Sequence, residues 1–178
     1  MKKESMIDRL AGAVRTVTDF PSPGVSFKDI TPLLANAELV RYAVNDLIRT
    51  WHGKGITKVA GIESRGFILG AMIAEELGAG FVPVRKEGKL PYTTIRETYE
   101  LEYGTDTIEM HIDAMGSDDI VLIHDDVLAT GGTAAATERL VEFAGASVAG
   151  FSFLIEIRDL DGRTALRGHA PVDVLLSL

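Results

Sequence analysis

Short unbroken apolar runs alternate with helix-like stretches along most of this chain, and that alternation constrains its fold more than any other feature. The apolar runs cover residues 58–62, 81–84, 120–123, 148–155 and 172–176, and the helix-like stretches between them cover 67–77 and 134–143. Strands that are buried on both faces give continuous apolar runs, and strands that alternate with helices form a parallel sheet covered by those helices. We therefore predict an α/β fold in which a twisted parallel sheet is flanked by helices.

Two helices are predicted before the first of these strands. Apolar residues recur at helical spacing from Met6 to Val17, and this helix should stop before the Pro/Gly cluster at 19–24. A second helix is predicted from Ala37 to Trp51, with one apolar face formed by Leu39, Ala43, Leu47 and Trp51.

Composition narrows the class of protein. A chain of 178 residues is long enough for one good hydrophobic core, and without repeats or linkers we predict a single domain over 1–178. The net charge of -8 argues against a non-specific nucleic-acid or membrane-surface binder. The absence of cysteine excludes disulfides and thiolate metal sites. We see no secretory signal and no apolar run of about 20 residues, so we expect a soluble cytoplasmic protein.

The stretch from 86 to 111 interrupts the strand-helix alternation. It is rich in charged residues and tyrosines, and Tyr99, Leu101 and Tyr103 alternate with Glu100 and Glu102 as in one strand of a hairpin. An excursion of this length between core strands is typical of a lid or binding loop. The alternative is a surface hairpin whose charges are solvated.

The segment Ile123–Thr133 carries the strongest chemical signal. It begins as a buried strand, reaches the acidic pair Asp125 and Asp126, and passes through Gly131 and Gly132 into a helix. Glycines let the backbone approach a phosphate, and a helix N-terminus presents free N–H groups to it. The two carboxylates suit the hydroxyls of a sugar and a positive centre developing on it. The alternative is that one aspartate caps the helix and the glycines make an ordinary turn.

Ile123–Thr133 resembles the phosphoribosyl-pyrophosphate motif of the type I phosphoribosyltransferases. Four further segments resemble the adenine-specific branch of that family, in order and at compatible spacing, so that the likeness covers about residues 8 to 157: 20–30, 61–67, 85–91 and 101–104. The resemblance implies a small N-terminal hood (about 1–35), a flexible lid hairpin (about 86–111) and a homodimer. It also implies conversion of adenine and 5-phosphoribosyl 1-pyrophosphate (PRPP) to AMP and pyrophosphate, with Mg²⁺ held mainly by substrate and water rather than by a protein metal site.

The resemblance also implies residue roles. On the PRPP side it places Arg65, Arg85, Lys86, Lys89, Asp125, Asp126, Ala129, Thr130, Gly131, Gly132 and Thr133, with a cis peptide between Glu63 and Ser64. Arg65 would meet the pyrophosphate as a catalytic residue, and Arg85 would act across the dimer interface. The alternative for Arg65 is a surface arginine at a helix end.

On the base side the resemblance implies that Phe27 and Val127 sandwich the purine while backbone groups around Ser26 and Lys28 recognise its edge. Glu102 would be the catalytic residue that manages a proton at the purine N7, and Tyr103 would support the lid. Lys28 stands where the family often has arginine, and Val127 is smaller than the common leucine. Taken alone, Phe27 suits a core aromatic and Glu102 a solvated glutamate.

Two other functions remain open at this point. A purine phosphoribosyltransferase of other base specificity would keep the ribose motif, and a non-catalytic PRPP-sensing regulator of transcription would keep the fold. The four histidines are not spaced as metal ligands. His124 is predicted to be a buried strand histidine bonded to the backbone, and the alternative is that it tunes Asp125.

Overall fold

The computed structural model describes residues 5–100, 104–167 and 170–178. The chain divides into two compact units, Met1–Asp46 and Leu47–Leu178. The extent of a hood over about 1–35 and the single domain over 1–178 stay predictions.

The first unit contains a short hairpin and three helices. Its elements are α1 (Met6–Gly12), β1 (Arg15–Thr18), β2 (Ser26–Asp29), α2 (Thr31–Leu34) and α3 (Ala37–Arg49), the last of which runs on into the second unit. Ser5 begins α1 with a capping box, in which its hydroxyl accepts from the N–H of Asp8 while the Asp8 carboxylate accepts from the N–H of Ser5.

The prediction of one helix from Met6 to Val17 is wrong. The helix ends at Gly12, and Arg15–Thr18 forms β1, which pairs antiparallel with β2. Its β-branched side chains favour extended backbone, and the strand just beyond the 19–25 turn satisfies its hydrogen bonds. The second helix lies as predicted apart from its end at Arg49, and the four residues of its predicted apolar face are all buried.

The second unit is built on a seven-stranded sheet. In chain order its elements are β3 (Lys58–Ile62), α4 (Gly66–Leu77), β4 (Gly80–Lys86), β5 (Thr94–Glu100), β6 (Thr105–His111), β7 (Ile120–Leu128), α5 (Gly132–Phe143), β8 (Ser147–Glu156), two 3₁₀ turns (Arg158–Leu160 and Gly162–Ala165) and β9 (Val172–Ser177). The strand order is β5-β6-β4-β3-β7-β8-β9. The five neighbouring strands β4, β3, β7, β8 and β9 run parallel to one another. This confirms the predicted parallel sheet flanked by helices.

Helices cover both faces of this sheet. On one face the apolar side chains of α5 pack with residues such as Ile123 and Phe153 in the main core. On the other face Gly70 of α4 comes so close to the sheet that a Cβ there would lie 3.2 Å from Phe81 and 3.3 Å from His124. No helix in the described part of the chain is long and apolar enough to cross a membrane.

The 86–111 stretch forms an antiparallel extension of the sheet. Strands β5 and β6 make the predicted hairpin, and β6 pairs with β4 through Arg85 opposite Glu109. Four of its side chains belong to the main core: Ile95, Tyr99, Ile108 and Met110. Whether the stretch acts as a lid or is a surface hairpin with solvated charges stays open. The tip at 101–103 lies outside the described residues.

Candidate functional site

A recess of about 70 Å³ lies where β7 ends and α5 begins. Strand β7 is longer than the predicted run 120–123, because the ten-residue β8 continues to pair with it as far as Leu128. The acidic pair therefore lies on the last part of a strand, and the loop after it is only three residues long. The recess is lined by Asp125, Phe153 and every residue from Val127 to Ala134.

Gly131 gives this recess its shape. It precedes α5 with φ at 80°, a left-handed conformation in which glycine has no steric cost. Among the described residues no side chain caps α5, so the first N–H groups of the helix remain available at the recess. A dianion such as a phosphate matches these donors and the positive end of the helix dipole.

Gly162 is a residue that the sequence analysis missed. A Cβ on Gly131 would collide with the carbonyl oxygen of Gly162, and a Cβ on Gly162 would collide with the carbonyl oxygen of Ala129. The two backbones thus pack directly against each other, and the 3₁₀ turn that begins at Gly162 supports the recess from behind. The dipeptide Asp161-Gly162 is a turn signal in the sequence, but nothing local indicates which loop it contacts.

The acidic pair and Arg65 form a charged cluster beside the recess. Nε of Arg65, at the start of α4, lies 2.8 Å from Oδ2 of Asp126, which is almost completely buried. Burial raises the pKa of Asp126 even though the Arg65 charge acts to lower it. Burial and the neighbouring Asp126 charge raise the pKa of Asp125 well above its ordinary range. The structure therefore brings Arg65 into contact with Asp126, next to Asp125, and the roles of all three at the ribose and the pyrophosphate stay predictions.

Gly66 allows this cluster to form. A Cβ at that position would lie 2.8 Å from Oδ1 of Asp125 and 3.0 Å from the carbonyl oxygen of His124. The peptide between Glu63 and Ser64, in the loop just before Arg65, is cis, which confirms the sequence prediction.

His124 is completely buried on the α4 face of the sheet. Burial lowers its pKa to about 4, so the ring is neutral at pH 7. The backbone of Ser152 lies opposite His124 in the sheet, yet neither ring nitrogen forms a hydrogen bond of normal geometry in the described part of the chain. The prediction of a buried strand histidine is confirmed. The backbone of Ser152 acts to raise the pKa of the ring, as the predicted backbone bond would, although the contact does not have normal hydrogen-bond geometry. A role in tuning Asp125 stays a hypothesis.

A chain of polar contacts connects the recess to the hairpin. The Thr133 hydroxyl donates to the Tyr99 hydroxyl at 3.1 Å, and the Tyr99 hydroxyl lies 3.4 Å from Oδ2 of Asp106. The same carboxylate forms an ion pair of 3.1 Å with Nζ of Lys86. The predicted phosphate residue Thr133 and the predicted pyrophosphate residue Lys86 are therefore linked through Tyr99 and Asp106, neither of which the sequence analysis assigned to the site.

Arg85 lies near the end of β4, and Lys89 lies in the turn that follows this strand. Nε and Nη2 of Arg85 each donate to Glu63 at 3.1 Å, and Nη1 donates to the carbonyl oxygen of Lys89 at 3.0 Å. The Lys89 side chain is exposed. The guanidinium is thus engaged within its own chain, which leaves its predicted action across a dimer interface as a proposal.

The predicted base-recognition residues fall in both units. Ser26, Phe27 and Lys28 lie on β2 in the first unit, where Phe27 makes an edge contact with Phe20 at 5.1 Å between ring centroids. Nζ of Lys28 donates to the Thr16 hydroxyl at 3.1 Å. Val127 lines the recess of the second unit. The purine sandwich between Phe27 and Val127 stays a prediction, and Glu102 and Tyr103 lie outside the described residues.

Comparison with known proteins gives a consistent result. A model of the phosphoribosyl transferase domain family matches residues 26–169. The chain is similar to the adenine phosphoribosyltransferase of Phocaeicola vulgatus, with 51% identity over 178 residues that cover 100% of both chains. It is 61% identical to the adenine phosphoribosyltransferase of Rhodothermus marinus, whose crystal structure matches with a TM-score of 0.94 over 97% of this chain and 98% of that one.

A second solved structure shows what a relative binds. The adenine phosphoribosyltransferase of Saccharomyces cerevisiae is 39% identical, with a TM-score of 0.89 over 96% of this chain and 98% of that one. That protein was crystallised in complex with adenine and an imino-altritol 1,6-bisphosphate.

Proposed function

We propose that this protein, which belongs to the adenine phosphoribosyltransferase family, converts adenine and PRPP to AMP and pyrophosphate in purine salvage. The observation that carries the proposal is the recess at the N-terminus of α5. There an acidic pair lies beside helix N–H groups that no side chain in the described ranges caps. A phosphorylated sugar requires both features, because its phosphate needs donors and its hydroxyls need acceptors.

The 5-phosphate of PRPP would occupy the recess. The backbone N–H groups from Ala129 through Thr133 would donate to its oxygens, and the hydroxyls of Thr130 and Thr133 would add two further donors. The Thr133 hydroxyl donates to Tyr99, so it would turn from Tyr99 to donate to the phosphate. This site fixes the sugar but takes no part in bond breaking.

The acidic pair would act at the sugar itself. Asp125 and Asp126 would accept hydrogen bonds from the ribose hydroxyls, and their charge would stabilise the positive centre that develops at C1 as the bond to pyrophosphate breaks. Arg65 would share its charge between Asp126 and the departing pyrophosphate, for which a planar guanidinium is well suited. Lys86, Lys89 and Arg85 would neutralise the rest of the leaving group.

Magnesium is the cofactor that we propose. Mg²⁺ takes oxygen ligands, keeps several waters and is often held through substrate phosphates. Among the described residues there is no group of three or more His, Asp or Glu side chains that could hold a metal ion. Asp126 is paired with Arg65, so PRPP oxygens and water would supply most of the ligands, with Asp125 the available carboxylate. Bound there, the ion would neutralise charge on the pyrophosphate.

A base-specificity assay tests the proposed reaction. The protein would be mixed with PRPP, Mg²⁺ and each of adenine, hypoxanthine, guanine and xanthine, and the nucleotide formed would be measured. We expect AMP from adenine. Preference for an oxopurine would indicate another purine phosphoribosyltransferase. Binding of PRPP without turnover of any base would indicate a non-catalytic PRPP sensor.

Glu102 is our proposed base-handling residue, supported by its place in the family-like segment 101–104. As N9 of adenine attacks C1, a carboxyl group at N7 would hold the proton that the purine must redistribute. Glu102→Gln keeps the shape and removes the charge, so we expect turnover to fall by about 100-fold or more while PRPP binding changes little. Steady-state kinetics and PRPP titration measure the two effects. Unchanged turnover would assign this role to another residue.

We also propose that the protein is a homodimer and works in the cytoplasm. In support of a dimer, Ile68 and Met72 are exposed one turn apart on α4, a position at which apolar side chains commonly contact another subunit. Light scattering should give about twice the chain mass of 19.2 kDa, and Met72→Glu should shift the species toward the monomer.

A further inference from the structure

Two carboxylates that have no role in the proposed reaction hold the backbone that carries Arg85, Lys86 and Lys89. We infer that Glu63 and Glu109 are positioning residues for the pyrophosphate group, because together they fix residues 85–90 from both sides. The inference rests on the proposed function, since pyrophosphate is the ligand that these three cations would meet.

Glu109 holds the far end of this segment. It lies on β6 and is almost completely buried, yet Oε1 accepts from the backbone N–H groups of both Lys89 and Leu90 at 3.0 Å. Oε2 accepts from the hydroxyl of Thr94 at 3.1 Å and lies 3.3 Å from Nε of Arg96. Every donor comes from the turn or from the strand that follows it.

These donors outweigh the cost of burying the charge. Burial acts to raise the pKa of Glu109, but the N–H groups of Leu90 and Lys89, the Thr94 hydroxyl and the Arg96 charge lower it below its ordinary value. Glu109 is therefore ionised at neutral pH. An ionised carboxylate with three hydrogen-bond donors and one paired cation is a stronger anchor for a turn than a neutral acceptor would be.

Glu63 holds the near end. Its two oxygens accept from Nε and Nη2 of Arg85, and Oε2 also accepts from the backbone N–H of Lys86 at 3.0 Å. The hydrogen bond from Arg85 lowers the pKa of Glu63 below its ordinary value. Glu63 thus fixes one side chain and one backbone position of the segment.

The two anchors meet at Lys89. The backbone N–H of Lys89 donates to Glu109, and the backbone carbonyl oxygen of Lys89 accepts from Nη1 of Arg85. Glu63 in turn orients Arg85 by accepting from its Nη2. Arg85 uses three of its five N–H groups in these contacts, and within residues 5–100, 104–167 and 170–178 the other two are available to a ligand. The ammonium groups of Lys86 and Lys89 would therefore approach a pyrophosphate from a backbone that is already ordered, which reduces the entropy lost on binding.

Glu63 has a second connection to the pyrophosphate end of the site. It belongs to the loop that leads from β3 into α4, two residues before Arg65. One carboxylate therefore links the loop of Arg65 to the turn of Lys86 and Lys89. This placement predicts that loss of either anchor affects the pyrophosphate end and spares the base.

The test uses Glu63→Gln and Glu109→Gln, which keep size and one acceptor but remove the charge. We expect the KM for PRPP, and the KM for pyrophosphate in the reverse reaction, to rise about tenfold in each variant. The KM values for adenine and AMP should change less than twofold. A purely structural loss would instead lower the amount of active protein and reduce kcat for all substrates together.

Glu38→Gln is the matched control. Glu38 also accepts two hydrogen bonds from one arginine, Arg9, but it lies in the first unit on the protein surface. We expect this variant to match the unsubstituted protein in all four KM values. Thermal unfolding of each variant would show how much folded protein is present at the assay temperature.

A direct binding measurement separates this inference from the proposed reaction. Calorimetric titration with magnesium pyrophosphate does not require turnover, so it remains informative if no base is converted. Weaker pyrophosphate binding by both glutamine variants than by the Glu38 control would support the positioning role. Equal binding by all proteins, or a parallel rise in the KM for adenine, would overturn it.

Discussion

Replacing Gly131 with alanine should lower kcat/KM for PRPP by about 100-fold or more, because the loop that would hold the 5-phosphate cannot keep its shape. Gly131 has φ at 80°, where an alanine costs about 1–2 kcal/mol relative to a right-handed conformation. Its new methyl group would also collide with the carbonyl oxygen of Gly162 and lie 3.0 Å from Cβ of Ala165. The loop must therefore move, and the N–H groups at the start of α5 move with it.

The other end of the same helix supplies the control for this substitution. Gly145 has φ at 85°, but a Cβ there would meet only the backbone nitrogen of Ser117 at 3.9 Å. Gly145→Ala therefore carries the left-handed strain without the collision, and it should lower the unfolding temperature with little change in kcat/KM. Gly162→Ala, which creates the collision from the opposite side, should reproduce the effect of Gly131→Ala. Retention of PRPP kinetics in both loop variants would place the 5-phosphate elsewhere.

The centre of the parallel sheet could be predicted from the sequence because β3, β7 and β8 are buried on both faces. Lys58–Ile62 has its predicted bounds, since burial alone makes its apolar run continuous. The strand ends were harder to predict. β7 continues through Asp125 and Asp126 to Leu128 because β8 is long enough to pair with it that far. The apolar run that predicts the strand ends before these two aspartates, so the sequence did not indicate the extra length.

The contacts that shape the site could be predicted only in part. Asp125, Asp126 and the loop to Thr133 are consecutive in sequence, so their local order was enough to indicate a phosphate site. The packing of Gly131 on Gly162 and the anchoring of Lys89 by Glu109 join segments about 20 to 30 residues apart. The helix and strand periodicities in a sequence do not indicate which residues so far apart come into contact. Glu109 looked like one more charge of a hairpin because its burial depends on the register of β6 against β4.

The second large effect is expected for Arg65→Leu. This substitution keeps the apolar stem but leaves the buried Asp126 without the cation at 2.8 Å. Removing one partner of a fully buried ion pair costs about 3–5 kcal/mol, and a smaller loss of about 2 kcal/mol at pH 7 is expected here because Arg65 is one-third exposed. Activity should fall further still, since the same guanidinium is proposed to meet the pyrophosphate.

The pH dependence distinguishes an unpaired charge from lost packing. The pKa of Asp126 is already raised by burial, and removal of Arg65 takes away the main influence that lowers it. A carboxyl group whose pKa is higher in the folded state than in the unfolded state destabilises the fold above the folded pKa, and this cost is lost as the pH falls toward the unfolded value near 3.8. The difference in the free energy of unfolding between Arg65→Leu and the unsubstituted protein should therefore become smaller as the pH is lowered from 7 to 5, as measured by urea denaturation.

Adding Asp126→Asn to Arg65→Leu removes the charge altogether, so the double variant should be more stable than Arg65→Leu at pH 7. A deficit that is the same at both pH values and persists in the double variant would assign the effect to lost packing of the Arg65 stem.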